Sequence, residues 1–103
     1  MILEVAAVQV QPGKEAEFEA AISTAYYLLK ETDGYCGHTL RRCMEEGNRY
    51  QLHIEWATLE AHTVNFRESE RFNTWRSIIG PFFAAPPEVM HYETIHESDR
   101  QSV

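Results

Sequence analysis

The chain predicts an α+β fold of the ferredoxin-like kind, βαββαβ around one antiparallel sheet. Three observations predict it. Stretches with strand character and stretches at helical spacing follow one another as strand, helix, strand, strand, helix pair, strand. Turn signals separate them at Pro12-Gly13, Asp33-Gly34, Glu46-Gly47-Asn48 and Gly80-Pro81. At 103 residues without repeat, linker or low-complexity tract, the chain is one domain spanning 1–103, with a polar tail from about residue 96 that is expected to fray.

The first strand is read over 2–11, rich in Val and Ala with Glu4 and Gln9 interrupting. Its weak alternation suggests burial on both faces. A helix over 14–30 follows, with Phe18, Ile22, Ala25 and Leu29 on one face. Glu15, Glu17 and Glu19 suit its positive end and Lys30 its negative end. Tyr26, Tyr27 and Leu28 are expected to widen the apolar face. The second strand covers 35–44, where Gly37 suggests a bulge. The third covers 49–56 and alternates cleanly: Tyr50, Leu52, Ile54 and Trp56 face one way, Gln51, His53 and Glu55 the other. Thr58 and Ser69 are candidate N-caps for two helices. The first carries Leu59, His62, Thr63 and Phe66 on its inward face, and the second Phe72, Trp75, Arg76 and Ile79. A last strand is read over 88–95.

Composition excludes several classes of partner. A formal net charge of −7 with scattered Lys and Arg argues against nucleic acid and against a basic membrane-binding helix. No apolar run is long enough to span a bilayer, and Glu4 interrupts any leader-like start, so a cytoplasmic protein is expected. Cys36 and Cys43 are read as free thiols packed as small apolar side chains. No glycine fingerprint or phosphate loop calls for a cofactor, and none is expected. His53, His62 and His91 have no pair at ligand spacing on one helix, so no metal site is expected.

The aromatic-rich stretch 50–81 carries the candidate chemistry. His62 shares a face with Leu59 and Phe66. It reads either as a buried His bonded to a carbonyl or as a donor or general base at a pocket wall. Arg76, beside Trp75, is a candidate to hold an anionic or enolate oxygen. The plainer reading, preferred for Arg67, ties either arginine to Glu68, Glu70 or Glu88. Tyr50, Trp56, Phe66, Phe72, Trp75 and Phe82 outnumber what a small core needs and suggest a cavity for a planar ligand. Asn65 is placed toward solvent. His53 and Glu55, with Arg41 and Glu4, are read as the outer sheet face, where a second copy packing sheet to sheet would pair them. His91 is compatible with that seam or with the pocket.

The chain resembles the antibiotic biosynthesis monooxygenase (ABM) domain over about residues 2–95. The resemblance rests on Val10-Gln11-Pro12-Gly13-Lys14, Glu17-Phe18, Gly34-Tyr35, Tyr50-Gln51-Leu52 running to Glu55-Trp56, Leu59-Glu60-Ala61-His62 and Ser69-Glu70-Arg71-Phe72. It implies a homodimeric α+β barrel with a pocket between each sheet and its helices. It also implies cofactor-free oxygenation of an anthrone- or quinol-like aromatic by molecular oxygen, with His62 as base or donor and Arg76 as anion stabiliser. The haem-degrading branch of the superfamily places Asn, Trp and His where this chain has Ala6, Phe66 and Arg76, so haem degradation is not expected. The same cavity would serve a non-catalytic dimeric module that binds a small hydrophobic molecule, or an isomerase or lyase.

Overall fold

The strands are β1 (Ile2–Gln9), β2 (Tyr35–Arg42), β3 (Arg49–Trp56) and β4 (Glu88–Glu93). The helices are α1 (Glu15–Ala25), α2 (Tyr27–Lys30) and α3 (Glu70–Ile79), with a π-helical turn at Ala61–Phe66 and a 3-10 turn at Gly80–Phe82. The computed structural model describes residues 1–99. The strands form one antiparallel sheet in the order β2-β3-β1-β4, the ferredoxin-like topology read from the sequence. Of the tail expected from about residue 96, positions 96–99 are exposed and positions 100–103 lie outside the described residues.

Alternation along β1 sorts its side chains. Glu4, Ala6, Val8 and, just beyond the strand, Val10 are buried under the helices, while Leu3, Val5 and Ala7 are only half-buried on the other face. The sheet is thus covered on one side, not two. Across the ladder Glu4 is opposite Ile54 on β3 and His91 on β4, so these three side chains share the helix side. Glu4 is therefore not on the outer face with His53, Glu55 and Arg41, and His91 points to the pocket side. The cross-strand register sets Glu4 on the helix side, a parity that the interrupted run around it hid in the sequence.

The core joins Phe18, Ile22, Ala25 and Leu29 of the first helices to Leu52, Ile54 and Trp56 of β3. The helix expected over 14–30 breaks at Tyr26, and Tyr26 and Tyr27 stay exposed while Leu28 and Leu29 turn inward. Gly37 lies at a register shift between β2 and β3, the expected bulge. Cys36 is exposed and Cys43 half-buried, so neither is packed as a core residue. No described helix is long and apolar enough to cross a membrane.

Candidate functional site

Residues 57–66 depart most from expectation. Thr58 Oγ1 accepts from the Ala61 N–H at 3.1 Å, as an N-cap does. The backbone then opens into a π turn, with the Arg67 N–H reaching back five residues to the His62 carbonyl at 3.0 Å. This leaves Leu59 outside, 41% exposed, and carries His62 and Phe66 into the interior. Gly34 makes room for the turn. A Cβ on Gly34 would lie 2.5 Å from the Ala61 Cβ, and its φ of +92° disfavours any other residue. Ser69 starts α3 in extended conformation, but its hydroxyl donates to the Phe66 carbonyl at 2.6 Å instead of capping the helix. Asn65 is exposed and donates to the Asp33 carbonyl at 3.1 Å.

Between the sheet and α3 lies a cleft of about 1080 Å³, ample for a multi-ring organic molecule. Ala6, Val8, Leu52 and Ile54 line its sheet wall, and Phe66, Phe72, Trp75 and Ile79 its helix wall. Residues 83–87 and Val89 close the edge. Arg67 and Arg76 both line the cleft, their guanidinium carbons 5.6 and 5.7 Å from the centre of the Phe72 ring. Among the described residues neither makes an ion pair, so Arg67 does not tie the helix end to Glu68 or Glu70.

The polar floor is Glu4 with His62. The Trp56 indole N–H donates to Glu4 Oε1 at 2.9 Å. His62 Nε2 lies 3.4 Å from the same oxygen, and His62 Nδ1 lies 2.7 Å from Nε2 of His91. The His62 ring lies nearly parallel to Trp56, at 18° with centres 5.6 Å apart. Burial pushes His62 down to about 4, with the charges of His91 and Arg67 adding. His62 is thus neutral at neutral pH, so its 3.4 Å approach to Glu4 is a polar contact and not an ion pair. Burial also raises the Glu4 carboxyl above its ordinary value, opposed by the Trp56 N–H and the Arg67 charge.

Of the aromatics singled out as cavity wall, Phe66, Phe72 and Trp75 line the cleft, as do His62 and Arg76. Trp56, Tyr50 and Phe82 do not. Trp56 and Tyr50 are core, 0% and 1% exposed. The Tyr50 hydroxyl donates to Glu19 at 2.5 Å, and Phe82 packs edge-on to Phe18. Small domains use their largest side chains to fill the interior first. Sequence reasoning missed Glu4 and residues 83–87 as lining. The single signal at Glu4, an acidic residue in phase with Ala6, Val8 and Val10, was masked by Ala7 on the other face. Among the described residues no group of three or more His, Cys, Asp or Glu is gathered as a metal site.

Residues 1–77 match the family described as antibiotic biosynthesis monooxygenase. The chain belongs to this family. It is 37% identical over 95 residues to the protein YczJ of Bacillus subtilis (strain 168), covering 92% of this chain and all of that one. Among solved structures, a candidate antibiotic biosynthesis monooxygenase of Bordetella bronchiseptica shares 41% identity at a TM-score of 0.89, covering 92% of this chain and 97% of that one. SnoaB of Streptomyces nogalater, a cofactor-independent oxygenase, superposes at 0.81 over 93% of this chain and 94% of its own with 19% identity. That likeness is one of fold. The ABM scaffold and the ferredoxin-like α+β architecture expected from the sequence are thus established.

Proposed function

We propose that this protein is a cofactor-independent monooxygenase acting on a small aromatic substrate of the anthrone or quinol type. The observation that carries the reading is a large apolar cleft in an ABM-family chain whose floor holds one carboxylate beside one neutral imidazole. The family's monooxygenase scaffold and the cofactor-independent oxygenase SnoaB among its structural neighbours support it. For an anthrone, the ring CH₂ loses a proton to the protein and the resulting enolate combines with molecular oxygen. The peroxide then takes up a proton and loses water, leaving the quinone carbonyl. One dioxygen is consumed, with one oxygen atom retained and one released as water.

An apolar, water-poor cleft favours this sequence because it keeps the enolate from being reprotonated by solvent. His62 serves at the floor, and Arg76 with Arg67 offsets the negative charge on the ligand's oxygen. Phe66, Phe72 and Trp75 hold the ring plane. Two copies packed through the open sheet face, which carries Leu3, Val5, His53, Met90 and Tyr92, form the homodimer of the same reading. A cytoplasmic setting, where the exposed Cys36 thiol stays reduced, also belongs to it.

The test is oxygen uptake with 1,8-dihydroxyanthrone and with a benzoquinol. The reading predicts uptake matched by anthraquinone from the anthrone or by a hydroxylated quinone from the benzoquinol, falling at least ~10-fold in Arg76→Ala. Tight binding that quenches tryptophan fluorescence without oxygen uptake would overturn it.

A further inference from the structure

Strand β1 sets a single carboxylate in an otherwise apolar wall. Glu4 is 6% exposed and lines the cleft beside Ala6 and Val8. A carboxylate so placed is costly unless donors surround it. Here they converge on one of its oxygens. Oε1 accepts from Trp56 at 2.9 Å and faces His62 Nε2 at 3.4 Å. Behind His62, Nδ1 meets His91 Nε2 at 2.7 Å.

One placement of protons satisfies all these contacts with Glu4 ionised. His62 carries its proton on Nε2 and turns it toward Glu4 across 3.4 Å, and its Nδ1 accepts from the Nε2–H of His91 at 2.7 Å. Both imidazole nitrogens of His62 are then occupied. Glu4 Oε2, by contrast, has no protein partner among the described residues. No buried side-chain polar atom among those residues is left unpartnered, so Oε2 retains accessible space. A carboxylate with one oxygen held and the other free has the geometry of a general base.

We propose that Glu4 is the proton acceptor of the cleft, taking through Oε2 the acidic C–H or O–H proton of the bound aromatic. His62 and His91 are positioning residues that hold the opposite oxygen. The inference rests on the function proposed above. In the step, the ligand's C–H or O–H bond breaks, an O–H bond forms on Glu4, and the electron pair stays on the ligand as an enolate or phenolate. The proton later returns to the oxygen that leaves as water. The charged and titratable groups facing Glu4 are His91 from β4, His62 from the π turn and Arg67 just beyond it.

The deciding experiment is anaerobic. The intact protein is mixed with 1,8-dihydroxyanthrone without oxygen, and the visible absorption of the bound anion is recorded against pH. The wild type is expected to form the anion at neutral pH. Glu4→Gln keeps the shape and the bond from Trp56 but is expected to form the anion at least ~100-fold more slowly, the usual contribution of a general base. Raising the pH until solvent deprotonates the ligand is expected to rescue Glu4→Gln. His91→Gln is expected to shift the pH midpoint without abolishing the anion. Equal anion formation in Glu4→Gln and wild type would overturn the proposal, as would a ligand that binds wild type and stays neutral. In the free protein, a ¹³C titration of the Glu4 carboxyl must show it ionised at neutral pH. A carboxyl still protonated there would also overturn it, whether or not this anthrone binds. Anion formation without oxygen uptake in air would leave Glu4's role intact and sink the monooxygenase reading alone.

Discussion

The two faces of this sheet are built from neighbouring residues of the same strands, yet they differ in kind. On the helix side Glu4, Trp56, His62 and His91 form one chain of polar contacts closed over by aromatic side chains. On the open side Leu3, Val5, His53, Met90 and Tyr92 lie uncovered or half-covered. A shift of one residue along β1 would exchange the two sets. The lesson is that the cleft's chemistry depends on register. Burial, not residue type, separates His62 and Glu4 on the helix side from His53 and Glu55 on the open face.

Several substitutions test this contrast. Trp56→Ala should cost roughly 3–5 kcal/mol by urea denaturation, since it removes the largest fully buried side chain and strips Glu4 of a donor. Tyr92→Ser, on the open face, should cost within about 0.5 kcal/mol at low protein concentration. A Tyr92→Ser loss that grows with protein concentration would instead mark that face as an interface between copies. Gly34→Ala should cost about 2 kcal/mol or more, because it combines a positive φ with a 2.5 Å approach to Ala61. It should also loosen the π turn, read as faster amide exchange at His62 and Arg67.

Smaller effects follow from protonation. In the unfolded chain His62 takes a proton near its ordinary 6.5, whereas in the fold it does so only near 4. The unfolded state therefore binds more protons between those values. Stability from this group is present above about pH 6.5 and is lost as pH falls toward 4. Urea midpoints across that window should show the loss, and His62→Gln should remove it. Glu4, raised by burial, works in the opposite direction as pH rises above its ordinary value. Tyr50 gives an alkaline counterpart: burial, with the bond to Glu19 adding, raises its hydroxyl from 10.0 to about 12. Stability should fall as pH rises through that interval, and Tyr50→Phe should flatten the fall.

The fold was largely legible in the sequence because its signals are local and periodic. The run 49–56 alternates without error, and Phe18, Ile22, Ala25 and Leu29 mark their helix face by spacing alone. The break at Tyr26 and the π turn carry no such period. The turn depends on Gly34 admitting Ala61 across the chain, a tertiary contact invisible in spacing. A third of the expected aromatic wall went into the core, since Trp56 and Tyr50 satisfy their polar atoms on Glu4 and Glu19 while filling the interior. Glu4 itself was obscured because Ala6 and Ala7 put similar small side chains on both faces of β1, leaving its parity unmarked.

The most direct test maps a bound aromatic onto the two faces. In ¹⁵N and methyl NMR spectra, adding 1,8-dihydroxyanthrone should move Ala6, Ile54, Phe66 and the Trp75 indole, while Val5, His53 and Met90 stay in place. Perturbations gathered on Val5, His53 and Met90, with the Trp75 indole unmoved, would contradict a site on the helix side.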